Sequence, residues 1–231
     1  MNLTIEIKVC GITNQEDKAK IDKLSVDYIG FINIPRSKRN ISLKEIEEFQ
    51  KRSNNKNQNV LVIEPENAYE TLIKLNKTNV FNVQLHSLKP FDVKYIKWSS
   101  QYLFGLMNIT KVIGLSDELT KDKIKEINEH CRYCDDILFD YIKDNKTGGT
   151  NSQIPIETAV QASKIIKENY PRTKVTLAGG LNFKYLKEIQ DQLENFDRID
   201  LNSGVEYSVG RKNIHSIKKI IKLIKEDYYE I

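Results

Sequence analysis

The chain has 231 residues, 39% of them hydrophobic and 29% charged, and its net charge of +4 comes from lysines scattered among glutamates. That composition excludes a disordered chain, and the dispersed charge speaks against a nucleic-acid surface. There is no apolar run of roughly 18 residues and no leader-like start, and three cysteines, an odd number, suit a reducing compartment. A cytoplasmic protein of one domain, 1–231, with no nucleic-acid or membrane partner, is the expectation.

Leu3, Ile5, Ile7 and Val9 alternate with Thr4, Glu6 and Lys8, which predicts a strand running into Cys10 and Gly11. Thr13 and Glu16 have capping-box spacing and predict a helix over about Asn14 to Leu24. Asp27 to Asn33 reads as a strand buried on both faces. After PRSKR (Pro35 to Arg39), Ser42 and Glu45 open a second helix that ends near Gln50, and the polar tract Lys51 to Asn59 is a loop. Val60 to Ile63, Val80 to Leu85, Ile109 to Leu115 and Ile137 to Asp140 are the next four strands. Helices over Pro65 to Asn76, from Phe91, and over Thr120 to Glu129 lie between them. In the helix from Phe91, the residues Phe91, Tyr95, Trp98 and Tyr102 share one face and are expected to pack into the core.

A polar loop from Lys143 to Gln153 leads to a helix over Ile156 to Glu168, with Pro155 suited to its first turn. Lys174 to Ala178 and Arg198 to Leu201 are the seventh and eighth strands, followed by helices from Asn182 and over Ile214 to Glu226. Eight strand–helix pairs in strict alternation predict an α/β fold, a single (β/α)8 TIM barrel of eight parallel strands.

In such a barrel the residues that follow each strand meet at one rim. They include Cys10, Arg36 to Arg39, Gln84, His86, Asp140, Gly179, Gly180, Ser203 and Gly204. Glycines after strands seven and eight let backbone N–H groups approach an anion, which points to a phosphate site. Arginine forks at Arg36 and Arg39 suit a carboxylate. Cys10 and Asp140 are an available base and acid, because a carboxyl in a partly desolvated rim holds its proton more tightly. His86 reads as a core histidine. Cys131 and Cys134 form a CxxC with no second pair to complete a metal site, so they read as helix-end cysteines. No P-loop, GxSxG or HExxH is present.

Taken together, KVCGIT, GFINIPRSKRNIS, VQLHS, LFDYIK with TGGT, LAGGLN and LNSGVE run in order over nearly the whole chain. This set resembles the phosphoribosylanthranilate isomerase family. The resemblance implies a TIM barrel that carries out the Amadori rearrangement of N-(5-phosphoribosyl)anthranilate in tryptophan biosynthesis, without cofactor or metal, as a monomer or homodimer acting on a phosphorylated small molecule. Carried over position by position, it implies Cys10 as the general base at C2 and Asp140 as the general acid at the ring oxygen. Arg39 would hold the anthranilate carboxylate, and Gly179, Gly180, Ser203 and Gly204 the phosphate. The chain departs from the family pattern at Tyr141, at Asn151 and Ile154 to Glu157 in the sixth loop, at Val62 to Pro65, and at Asn202. Two other readings stand beside this one: a related barrel isomerase for another phosphorylated amino sugar, and a phosphate-ligand binding protein without turnover.

Overall fold

The computed structural model describes residues 5–51, 59–105, 108–143, 146–147 and 153–225. Its parallel strands are β1 (Glu6–Cys10), β2 (Tyr28–Asn33), β3 (Asn59–Ile63), β4 (Asn82–Leu85), β5 (Asn108–Leu115), β6 (Asp136–Lys143), β7 (Lys174–Leu177) and β8 (Arg198–Leu201). Around the ring they run 5-4-3-2-1-8-7-6, and β5 pairs with β6 to close it. The helices are α1 (Gln15–Ile21), α2 (Leu43–Lys51), α3 (Ala68–Thr78), α4 (Pro90–Phe104), α5 (Lys121–Cys131), α6 (Ile156–Asn169), α7 (Phe183–Glu188) and α8 (Ile214–Lys225). The expected closed barrel of eight parallel strands is therefore present. Leu3, Thr4, the loop 52–58, much of the sixth loop including Asn151, and Glu226 lie outside the described residues.

Period-two alternation in each strand divides the side chains between two environments. Ile7 and Val9 of β1 join one large apolar cluster with Ile217 and Ile220 of α8, the layer between barrel and helices. Lys8, between them in sequence, points into the barrel and bonds Gln84 of β4 and Asp200 of β8. The polar residues of β1 thus line the barrel interior rather than a solvated face. Lower in the barrel, Asp136 takes bonds from Thr110, Thr176 and Arg198, so this layer is a satisfied polar network.

Two local expectations need correction. Helix α1 is capped by Asn14, whose side chain accepts from the Asp17 N–H at 2.9 Å, and not by the pair Thr13 and Glu16. Thr13 instead donates to the Gly210 carbonyl at 2.7 Å, which frees the next residue to cap. The aromatic stripe of α4 is not core: Phe91, Tyr95, Trp98 and Tyr102 are exposed, and Val93, Ile96, Ser99 and Ser100 face the barrel. The α2 box, by contrast, forms as read, with Ser42 and Glu45 bonded reciprocally.

Two short antiparallel ribbons extend the rim. Lys146–Thr147 folds back on the end of β6. After β8, Glu206–Ser208 pairs with Arg211–Lys212 around Gly210, whose φ of +78° suits glycine, and Thr13 pins this turn to the start of α1.

Candidate active site at the carboxyl rim of the barrel

A cleft of about 360 Å³ opens at the carboxyl ends of the strands, large enough for a small phosphorylated molecule. Its walls include Cys10, Arg39, Asp140, Gly179, Gly180, Ser203 and Gly204, so the seven residues expected to bind or react meet in one place. Ring order sets their arrangement. Passing from β2 through β1, β8 and β7 to β6, one meets Arg39, Cys10, Ser203 with Gly204, Gly179 with Gly180, and finally Asp140. The glycine turns therefore lie between the thiol and the carboxyl.

Space beside Cys10 and Asp140 is made by neighbouring glycines. Cys10 pairs in register with Gly30 of β2, and a Cβ on Gly30 would stand 2.7 Å from the Cys10 sulfur. Gly179 has φ of +87°, and a Cβ there would lie 3.1 Å from Asp140 Oδ1 and from the Tyr141 nitrogen. At Gly204 a Cβ would collide with the Leu181 carbonyl oxygen, so this glycine lets the loop after β8 lie against the loop after β7. Ser203–Val205 is a single 3-10 turn. The first N–H groups of a helical turn have no partner within it, which leaves donors to meet an anion.

Asp140 accepts a 2.8 Å bond from the Tyr141 N–H, yet burial dominates and pushes its pKa up to about 6, with the Asp200 charge adding to the effect. Burial likewise raises the Cys10 thiol, and Asp200 works in the same sense, while the Lys8 and Lys212 charges act in the opposite direction. Lys8 is 2% exposed. Burial disfavours its charge, but Asp200 at 2.7 Å and the Cys10 thiol outweigh this, and its pKa is raised. Asp200 Oδ1 has no hydrogen-bond partner among the described residues.

Arg39 is held by a bidentate pair to Glu206, with Nε to Oε1 at 2.8 Å and Nη2 to Oε2 at 2.6 Å. Lys212 braces the same carboxylate at 2.8 Å and also donates to Asn202 Oδ1. The pair uses two of the five N–H donors of a guanidinium, so the fork is oriented without being used up. Arg36 stands further out, paired with Glu64. His86 lines the wall beside Gln84 and is kept neutral, its pKa lowered by burial and by Lys111 to about 3. Cys131 and Cys134 sit in the core, and burial pushes the Cys131 thiol up to about 12. Sequence reasoning missed Lys8, Asp200, Glu206 and Lys212. For the first two no local signal was available, since a charged residue alternating with apolar ones reads as a solvated face.

Residues 7–223 match the family model described as N-(5'phosphoribosyl)anthranilate (PRA) isomerase. Relatives bearing the name N-(5'-phosphoribosyl)anthranilate isomerase include one from Petrotoga mobilis, 33% identical over 95% of this chain and 97% of its own. Another, from Aquifex aeolicus, is 30% identical over 96% of this chain and 100% of its own. Among solved structures, the Thermotoga maritima phosphoribosylanthranilate isomerase superposes with a TM-score of 0.77 at 23% identity, covering 96% of this chain and 99% of that one. A phosphoribosylanthranilate isomerase in complex with reduced 1-(o-carboxyphenylamino)-1-deoxyribulose 5-phosphate gives 0.72 at 24% identity, with the same coverage. At such identities the structural likeness speaks to the fold.

Proposed function

The chain belongs to the N-(5'-phosphoribosyl)anthranilate isomerase family, and from that premise we propose how its cleft performs the isomerisation in tryptophan biosynthesis. The observation that carries the reading is the meeting of a high-pKa carboxyl, a thiol, an oriented arginine and two glycine turns around one cleft.

Asp140, protonated more readily than an ordinary carboxyl, donates its proton to the ribose ring oxygen. The anilino nitrogen pushes its lone pair toward C1, the C1–O bond breaks, and an open-chain iminium remains. Cys10, as thiolate, then removes the C2 proton, and the electron pair of that C–H bond neutralises the iminium to give an enolamine. Protonation at C1 and loss of the enol O–H proton give the ketone. No oxidant or reductant enters, and the atoms balance as an isomerisation. The positive charges of Lys8 and Lys212 support the thiolate against the cost of burial.

The Gly179–Gly180 turn and Ser203–Gly204 bind the phosphate, which fixes one end of the substrate between acid and base. Arg39, aimed by Glu206, takes the anthranilate carboxylate at the other end. The unpartnered Asp200 Oδ1 suits a ribose hydroxyl donor. A phosphorylated small molecule is thus the partner proposed. No described helix is long and apolar enough to cross a membrane, and a cytoplasmic setting is proposed with the pathway. The test is direct. Purified protein mixed with freshly made phosphoribosylanthranilate should abolish the anthranilate fluorescence; a signal that persists while a control isomerase consumes it would overturn the reading.

A further inference from the structure

Arg39 can attract a substrate carboxylate only if positive charge is left over for it, and the pair with Glu206 by itself leaves none. That pair is bidentate, at 2.8 and 2.6 Å, and its two side chains are only 11% and 5% exposed. One guanidinium against one carboxylate sums to zero, and away from water the sum decides how a third ion is received. Lys212 changes it. Its Nζ stands 2.8 Å from Glu206 Oε1, the same oxygen that accepts from Arg39 Nε. Two cations therefore share one carboxylate, and one positive charge remains. Burial lowers the Lys212 pKa, and the Glu206 charge opposes this.

Lys212 does not meet the substrate itself. Its side chain is fully buried, and its three N–H donors are matched by Glu206 Oε1 at 2.8 Å, Asn202 Oδ1 at 3.0 Å and the Asn202 carbonyl oxygen at 3.2 Å. Its backbone N–H is tied to Asp17 at 2.9 Å. Asn202, where the chain departs from the family pattern, in turn walls the stem of Arg39: a Cβ on Gly11 would lie 2.6 Å from Asn202 Oδ1 and 2.7 Å from Arg39 Cδ. One ammonium thus fixes both the carboxylate that grips the Arg39 fork and the amide beside its stem. Resting on the assignment of Arg39 to the anthranilate carboxylate, we propose that Lys212 is a positioning residue that sets specificity for an anionic aglycone. By countering Glu206 it leaves the guanidinium electropositive toward a carboxylate. A neutral ring gains nothing from that surplus charge, so the preference for the acidic ring depends on Lys212 even with the Arg39–Glu206 pair in place.

Reduced 1-(o-carboxyphenylamino)-1-deoxyribulose 5-phosphate and its 1-phenylamino counterpart, which lacks only the carboxylate, would each be titrated into the protein by calorimetry. Neither reacts, so the support that Lys212 gives the Cys10 thiolate does not enter the comparison. Wild type should bind the carboxylate form about 10–100-fold more tightly, the usual contribution of a hydrogen bond to a charged group. Lys212→Met, which keeps the length and removes the charge, should lower that ratio by about tenfold or more, as should Arg39→Ala. Adding Glu206→Gln to Lys212→Met removes the opposing charge and should restore the preference, which a mere loss of packing or hydrogen bonds would not allow. Glu206→Gln alone, the variant to read if Lys212→Met does not fold, should keep the ratio at or above the wild-type value. A wild-type ratio in Lys212→Met, a double variant as unselective as the single one, or a lost preference in Glu206→Gln would each overturn the proposal. If wild type shows no preference, or Arg39→Ala retains it, the Arg39 assignment itself falls, and this proposal with it.

Discussion

Replacing Asp140 by asparagine should make the protein more stable and nearly inactive at once. The carboxyl is raised from 3.8 to about 6 by burial, with Asp200 adding to it. A rise of that size corresponds to roughly 3 kcal/mol at 1.36 kcal/mol per pKa unit. Asp140 stands at a solvent-reached wall and is only partly buried, so screening brings the expected effect to about 1–2 kcal/mol. The sign follows from linkage. A folded-state pKa above the unfolded value gives stability that is complete below about 3.8 and lost as pH rises through about 6. Wild type therefore carries the screened cost of an ionised, half-buried carboxylate at pH 8, and the amide carries none. Asparagine also keeps an oxygen to accept the Tyr141 N–H. Urea unfolding of both proteins from about pH 4 to about pH 8 should show Asp140→Asn gaining about 1–2 kcal/mol at the alkaline end, with the gap closing toward acid. Turnover should fall by about 10²–10⁴. A variant less stable than wild type at pH 8, or a gap that does not change with pH, would refute the reasoning.

The proposed acid and base titrate in reverse order, since Asp140 lies at about 6 and Cys10 above its ordinary 9.0. The form with acid protonated and thiol ionised is then a constant minor fraction between the two values, so kcat/KM should be flat there and fall below about pH 6; a steep climb across neutral pH would contradict this. Arg39→Ala should raise KM more than it lowers kcat, whereas an equal loss in both kcat and kcat/KM would place the contact in the transition state instead. Gly179→Ala puts a Cβ 3.1 Å from Asp140 Oδ1 at a φ of +87° and should cost about 1–3 kcal/mol, read by thermal unfolding, together with turnover; wild-type values for both would remove the steric role. Lys8→Met leaves Asp200 buried without its counter-charge and should destabilise by about 3–5 kcal/mol, which urea unfolding would detect and a neutral result would exclude.

How far the sequence was readable depended on what each signal measures. Strand–helix alternation depends on local periodicity, so eight repeats were countable and the ends of the strands, with Cys10, Asp140 and the glycine turns, followed from the count. Lys8 and Asp200 were not legible because a polar residue at every second position reads as a solvated face, and closing the barrel turns that face inward. Glu206 lies 167 residues from Arg39, and no local pattern links them. The stripe of α4 failed for a different reason. A 3.6-residue period defines a face but not its direction, and the buried side holds Ser99 and Ser100 beside Val93 and Ile96, so the more hydrophobic face was the outward one. The cap of α1 moved by one residue because the Gly210 turn, distant in sequence, took Thr13.

The central claim is that Cys10 and Asp140 move the protons while the rest of the cleft only binds. Single-turnover mixing, with enzyme in excess over phosphoribosylanthranilate, reads the chemical step from the decay of anthranilate fluorescence without product release. Cys10→Ser and Asp140→Asn should each slow that decay by about 10²–10⁴ while still binding reduced 1-(o-carboxyphenylamino)-1-deoxyribulose 5-phosphate nearly as tightly as wild type. Decay at close to the wild-type rate in either folded variant would contradict the assignment.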